Sequence, residues 1–431
     1  MIATLRHRDF ALLWFGGLVS ITGDWMLLVA LPIYVYGLTG SALATGAMVA
    51  AGLLPNVILG SVAGVFVDRW DRRRTMVAAN LFMAVSILPL LVVPQTGWLW
   101  VIYVVAFAQS CVGIFNEPAE NSLLPHLVGA DHLVAANSLN AMNNNTARLA
   151  GPALAGFVVG WFGLVGVVIA DAASYLVAAV LIWRISASGS PVRASEEPGE
   201  TTGRMAASFA AIWREWLDGI RLVTKGRVIL ILFLVGAVTG LGEGVMAALF
   251  PPFVKVALDG GALELGWLMS SQAVGGLIGG VIVGSVAARL SPSRLLGLSA
   301  ILFGLIDLAI FVYPTFIEGI AVGLILFILV GVPATGVAAS LQTLLQSSTE
   351  NRYRGRIFGA LGTTQGLLIL TGTLLGGALG DALGIVPILV VQGGAYGVAG
   401  IIVLMLLAGF DGAGLAQRKR SKPIIRSRTD G

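Results

Sequence analysis

The chain has 431 residues, of which 57 % are hydrophobic and only 11 % carry a charged side chain, and its mean hydropathy is +0.91. Soluble domains contain about 25 % charged residues, so this composition excludes an ordinary soluble protein and predicts one built for a lipid bilayer. The single cysteine, Cys111, excludes an internal disulfide, and the net charge of +4 comes from basic residues that cluster between apolar segments.

Twelve segments are apolar and long enough to cross a bilayer, which takes about 20 residues. They must be helices, because an isolated strand leaves its backbone polar groups unsatisfied in lipid. The predicted spans are 10–36, 44–67, 75–94, 97–118, 137–161 and 164–184 in the first half, and 228–252, 264–288, 294–313, 316–346, 355–380 and 384–409 in the second half. The sequence therefore predicts an all-α membrane protein.

Basic residues indicate the orientation of these spans. They concentrate in alternate loops and in the C-terminal tail, whereas the opposite loops contain only Lys255. By the positive-inside rule, both termini are cytoplasmic, which agrees with an even number of spans. The charged lead before span 1 (Arg6, His7, Arg8) resembles an uncleaved anchor rather than a signal peptide. We expect a multi-pass protein of the cytoplasmic (inner) membrane of a bacterium.

Four regions follow from the spans. They are an N-terminal six-helix bundle (1–184), a cytoplasmic linker (185–227), a C-terminal six-helix bundle (228–409) and a basic tail (410–431). The linker begins with a flexible Ser-, Gly- and Pro-rich stretch. An amphipathic helix pattern follows, with apolar residues at Phe209, Trp213, Trp216, Ile220 and Val223. This helix would either bind the membrane surface or pack on the bundle. The tail would touch anionic lipid, and we expect no nucleic-acid binding.

An acidic residue lies inside the first span of each half. Asp24 follows Gly23 in span 1, and Glu243 follows Gly242 in span 7. In both copies a proline comes eight residues after the acid. An ionisable group within a span costs about 2.5–3.5 kcal/mol on insertion scales and marks an ion or substrate path. The repeat predicts two related halves, each with one functional carboxyl group.

The loop after span 2 carries a motif. Gly64, Asp68, Arg69, Arg72 and Arg73 match the pattern Gly-x-x-x-Asp-Arg-x-x-Arg-Arg, which resembles the loop motif of the major facilitator superfamily. An ordinary positively charged loop would explain the arginines but not Gly64 and Asp68 at these positions.

The resemblance implies the major facilitator fold, with two pseudo-symmetric six-helix bundles around a central cavity. It also implies a cytoplasmic gate, in which Asp68 contacts the start of span 11. A helix N-terminus favours an anion by about 0.3–1 kcal/mol, and by about 2 kcal/mol when partly buried. Arg354 and Arg356 precede span 11 and would add to this contact.

Span 5 carries an arginine and a small-residue motif. Arg148 lies about 16 Å along the span at 1.5 Å per residue, and either pairs with Asp24 or lines a water-filled cavity together with Asn144 and Asn145. The following residues resemble the antiporter motif of the superfamily, with alanine at two of its glycine positions; they include Gly151, Pro152 and Gly156. Small residues allow close helix contact and proline bends the span, and the resemblance implies export rather than import.

Span 4 ends in a polar stretch, where Glu117 and Glu120 lie one helical turn apart. This stretch and the opening of span 1 resemble the drug-exporter branch that contains macrolide-efflux and enterobactin-export proteins. The two glutamates would receive a proton or a cationic drug, and a hydrated helix end is the alternative. Three other acids within spans are less informative: we expect Asp171 near the outer surface, Asp307 to be structural and Asp381 to be solvated.

These features predict a secondary transporter that exports hydrophobic or amphipathic compounds in exchange for protons by alternating access. Asp24, Glu243 and Arg148 would couple protons, because a carboxyl group out of water binds a proton more readily. The substrate cavity would be lined by Trp25, Met26, Tyr34, Asn144, Met246, Phe250, Glu117 and Glu120. Core packing is the alternative for each apolar residue of this set.

No phosphate-binding loop, metal-ligand cluster or nucleophile arrangement occurs in the sequence. We therefore expect no enzyme activity, no cofactor and no metal, and we expect a monomer whose partners are a small-molecule substrate, protons and membrane lipid. A siderophore or metabolite exporter and a lysophospholipid flippase are alternative functions. A non-transporting membrane scaffold or sensor is the alternative from a different class.

Overall fold

The structure is a computed structural model, which describes residues 4–67, 70–186, 216–221, 223 and 226–407. Within this part of the chain every regular element is helical. The predicted basic tail and the first part of the linker, including Phe209 and Trp213, lie outside the described residues.

Twelve helical passes form the structure, and we number them α1 to α12. The N-terminal passes are α1 (Arg8–Thr39), α2 (Ala42–Val67), α3 (Arg72–Ser86), α4 (Leu99–Val128), α5 (133–162) and α6 (164–183). The C-terminal passes are α7 (Arg227–Ala257), α8 (Ala262–Val286), α9 (Pro292–Val312), α10 (Ala321–Ser348), α11 (Arg354–Leu383) and α12 (Ile385–Leu407).

Helices α5 and α6 are the two parts of one 51-residue helix, Leu133–Trp183. The helix is broken at Gly163, which has φ 64° and ψ −162°, a backbone conformation that glycine adopts without a steric penalty. Eleven described helices are long and apolar enough to cross a membrane, and this one is long enough to do so twice. The predicted twelve-helix membrane fold is confirmed.

The helices form two six-helix bundles. In the N-terminal bundle, α1 packs on the α5–α6 unit, and α2 and α3 pack on α4. The C-terminal bundle repeats this plan, with α7 against α11 and α12, and α8 against α10. We call the side on which α1 begins the inner side and the opposite one the outer side.

The most extensive contacts between the two bundles are those of α2 with α11 and of α5 with α8, and α1 and α2 also contact α7. Gly377 of α11 approaches the backbone of Ala42, and Gly156 of α5 approaches that of Leu263. In the inner halves, a Cβ atom at Gly284 of α8 or at Gly359 of α11 would meet nothing within 4 Å among the described residues. The contacts at Gly377 and Gly156 therefore close the space between the bundles on the outer side.

Four predicted helix ends were wrong by five or more residues, since α3 ends at Ser86 rather than at 94 and α7 at Ala257 rather than at 252, and α4 and α10 also differ. Helix α4 continues beyond the predicted end at residue 118, through Pro118 and Pro125, to Val128, because neighbouring groups satisfy the backbone that a proline frees. Helix α10 begins at Ala321 rather than at 316, since a 3₁₀ turn at Tyr313–Thr315 and Gly319, with φ 96°, precede it.

The described part of the predicted amphipathic helix packs on the C-terminal bundle. The Trp216 indole nitrogen donates a hydrogen bond to Thr364 Oγ1 at 3.1 Å, and Val223 is buried in the same apolar cluster as Ile231 and Leu361. This contact corresponds to the second alternative, a helix packed on the bundle.

Candidate functional site

Asp24 lies in the middle of α1 and faces α6. The Tyr175 hydroxyl donates a hydrogen bond to Asp24 Oδ1. Tyr175 is itself only 1 % exposed, so this contact is shielded from bulk solvent. The structure thus gives Asp24 a neutral hydrogen-bond donor and not a cation as its direct partner among the described residues.

A second carboxyl group, that of Asp171, lies next to this pair. Asp171 precedes Tyr175 by one turn of α6 and is fully buried, and its Oδ1 accepts a hydrogen bond from Ser174 at 3.1 Å. A Cβ atom at Gly23 would collide with Asp171 and lie 2.5 Å from the Ser174 hydroxyl. Gly23 therefore allows the Asp171 carboxyl group to reach α1, and the expected position near the outer surface was wrong.

Asp24 and Asp171 act on each other electrostatically. Two carboxyl groups that share a site away from water cannot both be ionised without a large cost in free energy. The group formed by Asp24, Asp171 and Tyr175, which we call the acid–tyrosine cluster, therefore disfavours simultaneous ionisation of its two carboxyl groups.

The C-terminal bundle contains a related arrangement. Gln392 and Tyr396 lie 221 residues after Asp171 and Tyr175 and keep the same four-residue spacing. Tyr396 is near Glu243 of α7, and a Cβ atom at Gly242 would lie 2.6 Å from the Tyr396 hydroxyl. The internal repeat thus covers the tyrosine and its glycine contact as well as the acid.

The two copies differ in their polar contacts. The Tyr396 hydroxyl donates to the backbone oxygen of Thr239 at 3.2 Å rather than to the acid. Gln392 Nε2 donates at 3.3 Å to Asp307 Oδ2, and Asp307 is only 4 % exposed. Asp307 thus has a partner on α12, which its sequence context did not indicate.

Glu243 lines a central cavity of about 750 Å³ between the bundles. Its side chain is accessible from this cavity. The cavity wall combines apolar residues, including Met246 and Phe250, with polar ones, including Gln272 and Thr335. Such a wall suits a ligand with both apolar and polar parts.

Arg148 also lines the central cavity, beside Asn145 and Glu243. Its side chain is exposed, and Glu243 and Arg148 act on each other electrostatically. Among the described residues no carboxylate oxygen lies within 4 Å of the Arg148 guanidinium. Of the two sequence interpretations, the structure favours the cavity-lining position over a pair with Asp24.

A second cavity, of about 600 Å³, lies inside the N-terminal bundle between α1, α3, α4, α5 and α6. We call it the N-terminal chamber. Its lining includes Asp24, Glu117, Glu120 and Asn144. The structure thus separates Glu117, Glu120 and Asn144 from the central cavity, to which the sequence had assigned them.

The remaining predicted cavity residues lie elsewhere. Trp25 packs against Gly151 of α5, and Met26 is buried in the core at 7 % exposure. Tyr34 lines a smaller cavity of about 380 Å³ towards the outer side, together with Leu38 and Lys255. For Trp25 and Met26 this is the core-packing alternative.

The predicted antiporter motif lies where the bundles meet. A Cβ atom at Gly156 would lie 2.5 Å from the Leu263 Cα of α8. A Cβ atom at Gly266 of α8 would collide with the Pro152 carbonyl group, and a Cβ atom at Gly151 would collide with Trp25 of α1. The motif therefore packs α5 closely against helices of both bundles.

The predicted cytoplasmic gate is only partly within the described residues. Gly64 lies in α2, whereas Asp68 and Arg69 lie outside the described residues. Arg72 begins α3, and Arg73 donates a hydrogen bond to the backbone oxygen of Ile185. At the start of α11, Arg354 donates to the Gln346 backbone oxygen at 2.8 Å, while Arg356 is exposed.

On the outer side, an aspartate joins the two bundles. Asp381 of α11 accepts hydrogen bonds from the Ser41 hydroxyl at 2.6 Å, from the Ala42 backbone nitrogen at 2.6 Å and from the Leu43 backbone nitrogen at 3.1 Å. These groups form the N-terminus of α2, where backbone N–H groups lack intrahelical partners. Asp381 of the C-terminal bundle therefore caps α2 of the N-terminal bundle. It is solvent-exposed at the outer end of α11, as expected, and it also joins the two bundles there.

Sequence reasoning singled out Asp24 and Glu243 as candidates but did not indicate Tyr175, Tyr396 or the capping contact of Asp381. A signal existed for the tyrosines, since the four-residue spacing before each tyrosine recurs in both halves. No comparable signal existed for Asp381, because its partners are backbone groups more than 330 residues away.

Comparison with known proteins places this geometry among transporters. The family model described as a transmembrane secretion effector of the MFS type matches residues 1–424. The chain is 28 % identical to an uncharacterized MFS-type transporter, YfiS, of Bacillus subtilis, over 90 % of both chains. It is 24 % identical to macrolide efflux protein A of Streptococcus pyogenes, over 87 % of this chain and 90 % of that protein.

It is also 25 % identical to the multidrug efflux pump Tap of Mycolicibacterium fortuitum, over 88 % of this chain and 91 % of that protein. Among solved structures, a bacterial homologue of the iron transporter ferroportin in its inward-facing state matches with a TM-score of 0.71 at 17 % identity. This match covers 93 % of this chain and 98 % of that one. At this identity the structural match shows the fold alone.

Proposed function

We propose that this chain, which belongs to the transmembrane secretion effector family of major facilitator transporters, exports hydrophobic or amphipathic compounds by proton-coupled antiport. Membership of this family makes it a secondary transporter of a small-molecule substrate. The observation that carries the proton coupling is the Tyr175 hydrogen bond to Asp24 beside the fully buried Asp171. Two relatives, macrolide efflux protein A and the multidrug efflux pump Tap, are efflux proteins by name, which supports the direction of transport.

In this proposal the acid–tyrosine cluster holds the coupling proton. Asp24 forms part of the wall of the N-terminal chamber, and Asn121 and Asn137, which also line it, are exposed. Water in the chamber would connect Asp24 with the inner side. Because Asp24 and Asp171 cannot both be ionised cheaply, release of a proton from Asp24 leaves the neighbouring group protonated, and the cluster is ready to be reloaded from the outer side.

The central cavity would hold the substrate. Transporters with internal repeats place their sites near the midplane between the repeats and rock around them, and this cavity lies between the bundles. Apolar contacts from Met246 and Phe250 suit a bulky substrate, because methionine adapts to irregular shapes. Arg148 and Glu243 on the same wall would orient its polar groups.

The proposal places the inner side in the cytoplasm of a bacterium, with both termini there, in agreement with the distribution of basic residues. One charge that crosses the membrane supplies about 2.3 kcal/mol per 100 mV. This free energy supports an outward gradient of tens-fold for a neutral substrate, so one proton per cycle is enough for export. The proposal needs neither a cofactor nor a catalytic group.

The test is efflux from cells that lack their own drug exporters. We expect the wild-type chain to expel ethidium or the uncharged dye Nile red. This efflux should stop when an uncoupler collapses the proton gradient. Asp24→Asn and Glu243→Gln should lose most of the uncoupler-sensitive efflux while they are inserted normally. Glu318→Gln, which changes an exposed acid outside the helices, is the matched control and should leave efflux unchanged.

Two results would contradict the proposal. If both amide variants expel the dyes as fast as the parent at every imposed proton gradient, the carboxyl groups do not couple protons. If the wild-type chain in vesicles moves neither dye nor protons, the scaffold or sensor alternative gains support.

A further inference from the structure

The N-terminal chamber has an unusual chemical lining. Three carboxyl groups line it, those of Asp24, Glu117 and Glu120, and no lysine, arginine or histidine is among its described lining residues. Most of its remaining polar wall consists of asparagine side chains, namely Asn80, Asn116, Asn121, Asn137, Asn140 and Asn144. The chamber is therefore rich in oxygen acceptors and negative in charge.

Four of these six asparagines use their amino groups within the protein. Asn80 Nδ2 donates to the backbone oxygen of Met76 at 2.8 Å. Asn116 Nδ2 contacts the Met83 sulfur at 3.7 Å, and Asn140 Nδ2 donates to Glu120 Oε1 at 2.7 Å. These donors are no longer available to a ligand.

The opposite ends of the same side chains have no partner. The Oδ1 atoms of Asn80, Asn116 and Asn140 are buried without a hydrogen bond from any described residue, and Asn80 as a whole is only 3 % exposed. A buried acceptor without a partner costs about 1–3 kcal/mol, so such groups are normally satisfied. Each of these three side chains thus retains an acceptor oxygen that no described donor satisfies.

We propose that the N-terminal chamber binds an organic cation that carries N–H donors, either a primary ammonium or a guanidinium group. The carboxylates supply the charge that attracts the cation, and charge-assisted hydrogen bonds are the strong ones. The carboxamide oxygens of the exposed lining residues Asn121, Asn137 and Asn144 accept its N–H groups. A quaternary ammonium satisfies only the charge, and the described residues contain no group of three acidic, histidine or cysteine side chains that fits a metal ion.

The size and the entrance of the chamber fit such a ligand. Its volume of about 600 Å³ lies within the range of small-molecule sites, about 300–1,000 Å³. Glu117, Asn121 and Asn137 are exposed and would form the entrance, whereas Asn80 and Asp24 lie deeper. The site is separate from the central cavity, so the inference goes beyond the proposed function.

Binding is tested directly on the purified full-length protein in detergent, by calorimetry with agmatine as the probe. Agmatine has an ammonium group at one end and a guanidinium group at the other. We expect saturable binding of agmatine and much weaker binding of tetraethylammonium, which has the charge without N–H donors, and of uncharged 1,4-butanediol. Equal affinity for tetraethylammonium, or tighter binding of Mn²⁺ than of agmatine, would overturn the proposal.

Variants assign the binding to the chamber. Glu120→Gln should weaken agmatine binding by about tenfold or more, which is the range for loss of a hydrogen bond to a charged group. Glu318→Gln is the control and should bind like the parent. If Glu120→Gln proves unstable, Asn121→Lys places a tethered ammonium at the entrance and should abolish binding without removing an acid.

A third outcome would move the ligand elsewhere. If Glu243→Gln abolishes agmatine binding while Glu120→Gln and Asn121→Lys do not, the cation binds in the central cavity and the inference is wrong. This assay requires no transport, so its failure is distinguishable from failure of proton-coupled efflux in cells.

Discussion

At the scale of single residues, the Tyr175 hydroxyl is the most informative group in the molecule. Tyr175→Phe removes the donor to Asp24 and retains the buried ring, so the helix packing is kept. We expect proton-dependent efflux to fall several-fold, because Asp24 loses the hydrogen bond that positions its carboxyl group. The free energy of unfolding should fall by about 1–3 kcal/mol, as for loss of a hydrogen bond to an ionisable partner. Ethidium efflux at several imposed pH gradients measures the effect.

Tyr103→Phe is the matched control for this prediction. It removes a tyrosine hydroxyl that donates to the Ala44 backbone oxygen at 3.2 Å and that lines none of the three cavities described above. Its effect on stability should be similar in kind, but the dependence of efflux on the pH gradient should stay that of the parent. Equal gradient dependence in both tyrosine variants would show that Tyr175 has only a structural role.

The residues of the acid–tyrosine cluster also show how far sequence reasoning reaches. Asp24 was predicted because an acid in an apolar span is costly and therefore noticeable. Tyr175 was not, because a tyrosine in an apolar span is compatible with ordinary core packing. Asp171 and Tyr175 reach Asp24 only because α6 packs against α1. That packing is part of the tertiary structure and is not visible in the local sequence.

At the scale of helices, the cap of Asp381 on α2 joins the bundles on the outer side. Asp381→Asn removes the negative charge at a helix N-terminus, which contributes about 1 kcal/mol at an exposed position. We expect the outer-closed state to lose about fivefold in population relative to the outer-open state. Spin labels at Trp161→Cys and Phe316→Cys, on a Cys111→Ala background, report the separation of the bundles at their outer ends.

Glu318→Gln serves as the control for this measurement, because Glu318 is also an exposed acid at the outer side but does not cap a helix. Its distance distribution should match that of the parent. A distribution for Asp381→Asn that coincides with the parent would mean that the capping hydrogen bonds contribute nothing to closure.

The contact of α5 with α8 gives a second helix-scale prediction. Gly266 lies against the Pro152 backbone, so Gly266→Val forces the two helices apart, and overpacking of this kind costs about 1–3 kcal/mol. The outer ends of the bundles should separate in the same spin-label measurement. Gly284→Val in the same helix meets open space within 4 Å and should leave the outer distance unchanged; a shift of equal size there would refute the argument.

Helix number and orientation were predictable because hydrophobic length and basic loops are local properties of the sequence. The start of α10 was not, since residues 316–320 are apolar enough for a span but form a turn. Nor did the sequence divide the predicted substrate residues between two cavities. Glu120 and Met246 both lie in spans, and only the packing of α4 inside its own bundle places Glu120 in the N-terminal chamber.

At the scale of the whole molecule, Asp381 and Asp68 are predicted to hold opposite sides of the transporter closed. Asp381 caps α2 on the outer side, in the state described by the structure. Asp68, which lies outside the described residues, is predicted to contact the start of α11 on the inner side. Since α2 and α11 belong to different bundles, each contact would stabilise one of the two alternating states, and the same pair of helices would carry both.

This arrangement predicts opposite effects of the two aspartates. Asp68→Asn should favour the outer-closed state and Asp381→Asn the outer-open state, because each removes the contact that holds its own side closed. Both contacts act on one equilibrium, and sites far apart contribute additively. The double variant Asp68→Asn with Asp381→Asn should therefore return the outer spin-label distances close to those of the parent. If the two single variants shift these distances in the same direction, the contacts do not oppose each other and this account of alternating access fails.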